Sequence, residues 1–401
     1  MKRILLSAFA CDPTRGSERS NGWSWAVGLA MKGFDVHCIT REVSRSGIGT
    51  KTLPPNLKFT YVRFPLVMER LYSSDRAKYL YYLLWQWKAY KLALAMHKVN
   101  RFDLVHHITF GSLQMGSFMY KFDIPFIFGP AGGGQMAPAA FREFFGTSWS
   151  TEETRSKVSR LLIKFNPAFR PMLKKASHVL AANEDTFRVA KSSGGVNVSL
   201  VTDVGVPDSF IPLKNIVKTP RDGQLKLLWV GGILPRKGLL LTLELMNELK
   251  GYPGITLTVV GDGPMRNECL EKLQAYALED TVHWEGSVPF SEIGSYYSDH
   301  DVFLFTSLRE SGGVQLVEAM AYGMPVITLD LHGPGLIVNE TRGIKCACDT
   351  PDIAIKNLKA AVLELYRDPA RVARLSEGSF RFSATQVWSH KIETIVNQFY
   401  D

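Results

Sequence analysis

The chain has 401 residues, 46% hydrophobic and 21% charged, an ordinary globular balance and enough length for two domains with cores of their own. Its five cysteines, Cys11, Cys38, Cys269, Cys346 and Cys348, are too few for a disulfide framework, and Cys346-Ala-Cys348 has the wrong spacing for a CxxC redox pair or a zinc site, so they read as free thiols in a reducing compartment. The net charge of +9 arises in the first half, with 28 Lys and Arg against 14 Asp and Glu up to residue 203 (+14) and 19 against 24 beyond it (−5), so the first half is expected to meet an anionic surface.

The opening apolar run, residues 4–10, follows Met1-Lys-Arg and imitates a short signal peptide ending at Cys11. It is far shorter than the ~20 residues that span a bilayer, and a buried parallel strand explains it better. A polar turn follows over 11–20, then a helix over 21–32 stopped by Gly33, and a strand over 35–40. Strand, loop, helix, strand is the start of a doubly wound α/β domain. Further strands are expected at 58–63, 103–108, 125–128 and 178–181. Between them, residues 71–98 form a long helical stretch of Leu, Tyr and Trp interleaved with Lys78, Lys88, Lys91 and Lys98. That helix reads either as core packing with a solvated basic face, or as interfacial docking on anionic lipid, helped by Lys164, Arg170, Lys174 and Lys175. Nucleic acid would use the same charges, but no helix-turn-helix, zinc-finger or RNA-binding pattern occurs, and none is expected as partner.

A charged, proline-containing stretch separates a first domain, 1–205, from a second α/β domain, 225–379, through a linker at 206–224. Residues 380–401 read as one last helix. In the second domain strands are expected at 226–232, 255–261, 282–286, 302–306 and 324–330, with helices at 238–249, 265–277, 290–298 and 352–366.

Residues 305–330, FTSLRESGGVQLVEAMAYGMPVITLD, organise the chain. They read as strand end, acidic loop with Glu310, glycine turn at Gly312-Gly313, helix from Val314, and a stop at Gly323. The glycines let backbone approach a ligand, and the helix N-terminus offers amide N–H groups with partial positive charge, a seat for phosphate. Glu318, eight residues after Glu310, reaches deeper along the helix. A ligand with central phosphates and hydroxyl-rich ends, a nucleotide-sugar, suits this pattern.

Glu310, seven intervening residues, Glu318-Ala-Met and Gly323-Met-Pro-Val resemble the signature of the family-4 retaining glycosyltransferases. The resemblance implies the GT-B fold, two facing Rossmann-like domains with the site in the cleft and a C-terminal helix crossing back to the first. Ser311 and Gly312-Gly313 stand where the family usually has an aromatic residue and one glycine. It further implies that Arg236 and Lys237, in VGGILPRKG after the second domain's first strand, clamp the departing diphosphate, two adjacent cations at a strand C-terminus. It implies donor contacts at Gly16, Gly263, Pro264, Val288, Ser311, Gly312, Gly313, Val314 and Leu316, with Glu318 on the ribose and Glu310 orienting the sugar. His106 or His107 is expected to reach the transferred sugar. Glu18, Gly133 and Gly134 fall on the acceptor side. No metal or other cofactor is implied.

The resulting expectation is a retaining, metal-independent glycosyltransferase that moves a sugar from a UDP- or GDP-linked donor to a glycan or lipid-linked acceptor in surface polysaccharide assembly. It would be cytoplasmic, peripheral on the inner face of the plasma membrane. Two alternatives stay open: a non-catalytic sugar-nucleotide or membrane-binding subunit of a glycan assembly complex, and another GT-B enzyme such as a nucleotide-sugar epimerase.

Overall fold

The computed structural model describes residues 1–14, 16, 18–73 and 77–400. Two compact units emerge. Met1–Gly134, Lys157–Asp203 and the chain from Trp388 onward form the first; Gln135–Ser156 and Val204–Val387 form the second.

The first unit is built on seven strands: β1 (Arg3–Ala8), β2 (Asp35–Arg41), β3 (Leu57–Val62), β4 (Leu104–Thr109), β5 (Phe126–Ala131), β6 (His178–Ala181) and β7 (Val198–Leu200). All pairings are parallel, in the order β3-β2-β1-β4-β5-β6-β7. Side chains alternate across β1, so Leu5 joins one apolar layer with Tyr81, Trp85 and Phe128, while Ile4 and Leu6 join the other with Trp25 and Leu29. Burial on both faces is why these strands read as continuous apolar runs.

The second unit carries β8 (Leu225–Val230), β9 (Ile255–Val260), β10 (Val282–Gly286), β11 (Val302–Phe305), β12 (Val326–Leu329) and β13 (Gly343–Cys346). They form a parallel sheet in the order β10-β9-β8-β11-β12-β13. Two helix-flanked parallel sheets in one chain are the GT-B architecture. In the second sheet the strand order reverses between β8 and β11, and ligands of open α/β sheets bind outside strand C-termini at such a point.

Three details differ from the sequence reading. The long aromatic helix spans Lys78–Asn100 rather than 71–98, after a short helix at Leu66–Glu69 and a 3-10 turn; residues 74–76 lie outside the described residues. The expected single helix over 380–401 is two, Pro369–Ala384 and Trp388–Phe399. Between them Val206 N–H donates to the Gln386 carbonyl at 3.1 Å and pairs with Val387 as an isolated parallel bridge, which holds the chain extended there. The later helix packs Ile392 and Ile395 into the first unit's core beside Trp25. Finally, residues 135–156, read from sequence as part of the first domain, group with the second unit. Phe141, Phe144 and Phe145 are buried in its core with Leu227, Leu240 and Leu243. A cluster of phenylalanines with no helical or strand period gives no indication of which distant core it fills.

Candidate functional site

The two loops at the second unit's switch point carry the residues the motif singled out. The chain leaves β8 through Gly231–Gly232 and reaches Arg236 and Lys237; it leaves β11 through Thr306 and reaches Glu310. The loops are tied together. Leu308 N–H donates to the Arg236 carbonyl at 2.8 Å, and the Thr306 hydroxyl, 2.7 Å from that of Thr242, lies 3.0 Å from the Gly238 carbonyl. Gly238 has φ +69, and a Cβ there would lie 2.2 Å from the Thr306 carbonyl oxygen. Only glycine permits that approach.

Glu310 is the centre of the cluster. Its Oε2 accepts from Arg236 Nη1 at 3.0 Å and from Lys237 Nζ at 2.5 Å. Burial pushes its carboxyl up, but Lys237 and Arg236 outweigh that and hold it below the ordinary value. Burial lowers Lys237, with Glu310 opposing. The Lys237 ammonium also lies 5.2 Å from the Phe305 ring centroid. Two cations against one carboxylate leave an excess of positive charge at the strand ends.

Beside it starts the helix Val314–Ala321, N-capped by Gly313 at φ +89 with no capping side chain. A left-handed cap followed by helical amides is an anion seat. The Ser311 carbonyl is pressed against Gly333, where a Cβ would lie 1.8 Å away, which fixes the loop from the far side. Glu318 is 8% exposed and accepts from the Tyr297 hydroxyl at 2.9 Å. Burial raises its carboxyl to about 7 despite that bond and the charge of Lys237. Leu316, expected to touch the donor, is fully buried in the core with Phe305 and Met320; in this helix it faces inward, so its side chain is structural.

Gly263 and Pro264 follow β9 in a turn packed onto the Arg236 loop: Ile233 N–H donates to the Asp262 carbonyl at 3.0 Å and Met265 N–H to that of Ile233 at 3.3 Å. Gly261 N–H donates to the Gly286 carbonyl at 2.7 Å, joining the ends of β9 and β10. Val288, just beyond, packs against a core cluster that holds Tyr297 and Leu316. These loops therefore gather at one end of the sheet.

In the first unit the outcome is different. His106 and His107 are adjacent on β4 and both are buried, on opposite faces of the sheet. His106 Nε2 donates to the Gly129 carbonyl at 2.6 Å, leaving Nδ1 to accept from the Tyr400 hydroxyl at 2.5 Å. His107 contacts the Tyr82 hydroxyl through Nε2 at 3.1 Å and the hydroxyls of Ser7 and Ser117 through Nδ1 at 3.0 and 3.1 Å. Burial lowers both to about 3. Both rings are spent on protein partners, which speaks against the sugar contact expected of one of them. Gly133 and Gly134 are likewise packed: Gly133 carbonyl accepts from Gln114, and Gly134 N–H donates to Thr186 Oγ1 at 3.0 Å. Glu18 Oε1 accepts from Gly111 N–H at 2.7 Å, and burial raises its carboxyl. Gly16 has no neighbour within 4 Å of a built Cβ; Arg15 and Ser17 lie outside the described residues.

Sequence reasoning missed Tyr297, whose hydroxyl reaches Glu318, and the pair Arg309–Glu152. Arg309 Nη2 donates to Glu152 Oε1 at 2.9 Å, and its Nε lies 2.8 Å from Oε2. The two are separated by 157 residues, and nothing local in the sequence marks either. Among the described residues no group of three or more His, Cys, Asp or Glu is placed to hold a metal ion, and no helix is long and apolar enough to cross a membrane.

Residues 213–381 match the family model of glycosyl transferases group 1. The matched span contains Arg236, Lys237, Glu310 and Glu318. Over those residues the chain is similar to the group 1 glycosyl transferases. A glycogen synthase of Mycobacterium tuberculosis is 28% identical over 159 residues, 39% of this chain and 37% of that protein. The amylovoran biosynthesis glycosyltransferase AmsK of Erwinia amylovora is 32% identical over 153 residues, 36% of this chain and 37% of its own length. Both alignments thus span well under half of each protein. The sucrose-phosphate synthase structure from Thermosynechococcus elongatus superposes with a TM-score of 0.65 at 20% identity, covering 100% of this chain and 98% of that one, a likeness of fold.

Proposed function

We propose that this chain is a retaining glycosyltransferase that takes its sugar from a nucleotide-sugar. The observation that carries the reading is the Arg236–Lys237–Glu310 cluster, assembled from both loops of the second sheet's switch point beside the helix N-terminus at Gly313. In this reading the nucleoside diphosphate lies against Arg236, Lys237 and the amides of residues 312–314, with Glu318 on the ribose hydroxyls and Glu310 toward the sugar. The anomeric carbon's bond to the phosphate oxygen breaks and the acceptor hydroxyl bonds to that carbon on the same face. The acceptor's proton passes to the departing phosphate oxygen. Preformed donors aimed at the charge that develops on the leaving group are each worth about 3 kcal/mol. Positive charge comes from side chains and amides, so the reading needs no metal.

The acceptor we assign to this chain is a glycan or a lipid-linked glycan on an anionic membrane face, at the cytoplasmic side. AmsK is named for amylovoran biosynthesis, which favours polysaccharide assembly. The first unit supports the membrane part: Leu80, Leu84 and Trp87 are exposed at 55%, 37% and 45% along one stripe of the helix Lys78–Asn100. Lys91 and Lys121 flank the Trp87 ring at 4.7 and 5.6 Å. An indole between ammonium groups suits headgroup depth.

Thermal denaturation with a panel of UDP-, GDP- and ADP-sugars tests the donor reading. A true donor well above its dissociation constant adds roughly 2–4 kcal/mol to the folded state, and Glu318→Ala and the double variant Arg236→Ala/Lys237→Ala abolish the gain. Stabilisation that ignores those substitutions, or none from any nucleotide-sugar, rejects the assignment and leaves the non-catalytic subunit as the better description.

A further inference from the structure

The segment 139–156 has no part in the donor cluster described so far, yet it reaches that cluster's framework. Phe141, Phe144 and Phe145 anchor it in the second unit's core, and Trp149 stacks edge-on to Phe145 with ring centroids 5.4 Å apart. The helix Trp149–Phe165 starts there. Glu152 stands three residues past Trp149, on the same helix face. Its Oε1 accepts one hydrogen bond from Arg309 Nη2 at 2.9 Å, and its Oε2 lies 2.8 Å from Arg309 Nε as an ion pair without hydrogen-bond geometry; the two side chains are only 12% and 16% exposed.

Arg309 is the residue before Glu310. Its carbonyl lies 3.4 Å from Arg236 Nη1, the same nitrogen that donates to Glu310, and its N–H points at the Arg236 carbonyl at 3.4 Å. Arg309 is also near enough for its charge to be felt at Lys237. Three cations, Arg236, Lys237 and Arg309, therefore surround one loop, and Glu310 serves only two of them. Glu152 occupies the third. Were it absent, a partly buried guanidinium would be left uncompensated, with the Glu310 carboxylate next door as the available partner.

We propose that Glu152 is a positioning residue for the donor site: by holding Arg309 it fixes residues 306–313 and keeps Glu310 for Arg236 and Lys237. This rests on the donor reading above. It makes the segment 139–156 part of the donor machinery, and it adds a residue outside the matched family span.

Calorimetric titration of the full chain with UDP-glucose and GDP-mannose, each beside its bare nucleoside diphosphate, tests it. For the donor that the wild-type chain binds, Glu152→Gln weakens the nucleotide-sugar about tenfold or more, while the bare nucleoside diphosphate shifts less than about threefold. The distinguishing arm is the double variant. If the freed Arg309 competes for Glu310, adding Arg309→Met to Glu152→Gln restores affinity to within about threefold of Arg309→Met alone, and Glu152→Asp recovers part of the loss. Wild-type affinity in Glu152→Gln overturns the inference. So do additive losses in the double variant, or equal losses for nucleotide and nucleotide-sugar with a lowered thermal midpoint, the mark of a merely structural pair. If the wild-type chain binds no nucleotide at all, the donor reading is what falls, and this inference falls with it.

Discussion

Lys237 Nζ and Glu310 Oε2 stand 2.5 Å apart although 73 residues separate them. The contact closes one loop of the switch point onto the other, with both charges largely removed from water: side-chain exposures are 7% and 17%. A pair this secluded is stable only with further partners. Glu310 has Arg236, and Lys237 has the face of Phe305.

Lys237→Ala removes a charge-assisted hydrogen bond and one cation of the anion seat. Bonds to charged groups contribute about 1.5–3 kcal/mol, so nucleoside diphosphate affinity should drop roughly ten- to hundredfold in a calorimetric titration. Lys237→Arg should not restore it, because a planar fork does not fit the space of a compact ammonium. Unchanged affinity in Lys237→Ala would remove Lys237 from the diphosphate site.

Glu318 titrates at about 7 in the folded chain, raised by burial from the ordinary 4.5. A raised carboxyl stabilises the fold below its unfolded value, and that contribution is lost as pH rises through the folded value. Across 4.5 to 7 the loss is on the order of 3 kcal/mol. Glu318→Gln does not titrate, so its thermal midpoint should gain on the wild type as pH climbs through this window. Parallel pH curves for the two proteins would contradict the burial of an ionisable Glu318.

His106 and His107 run the other way. Both are lowered to about 3 by burial from the ordinary 6.5, so their stabilisation is present above 6.5 and is lost as pH falls toward 3. His107→Phe should flatten the acid limb of the stability curve. At pH 7 it should cost about 1–3 kcal/mol by stranding buried hydroxyls, measured by urea denaturation, while nucleotide-sugar affinity stays within about twofold. A variant of undiminished stability that has lost sugar binding would return His107 to the site.

Membrane docking is read by vesicle sedimentation. The chain should pellet with phosphatidylglycerol vesicles and not with phosphatidylcholine. Binding should weaken as salt shortens the Debye length from about 10 Å at 0.1 M toward 3 Å at 1 M. The triple variant Leu80→Ser/Leu84→Ser/Trp87→Ser should stay in solution. Equal binding to both lipids, or to neither, sinks the assignment.

The sequence by itself determined the two α/β units and the strands buried on both faces, and it singled out Arg236, Lys237, Glu310 and Glu318 as candidates, the first three of which the fold brings into contact. Those features are local: apolar runs, glycines beside a helix start, and charges at strand ends are all written within a few residues of one another. Only the tertiary structure decided the rest. It spent both histidines of β4 on core hydrogen bonds, because the face and depth of a strand residue depend on what packs over it. It turned Leu316 inward, split the last helix at residues 385–387, and gave residues 135–156 to the second unit. It paired Glu152 with Arg309 across 157 residues. Contacts of that range are set by how whole elements pack, and no period or spacing in the chain encodes them.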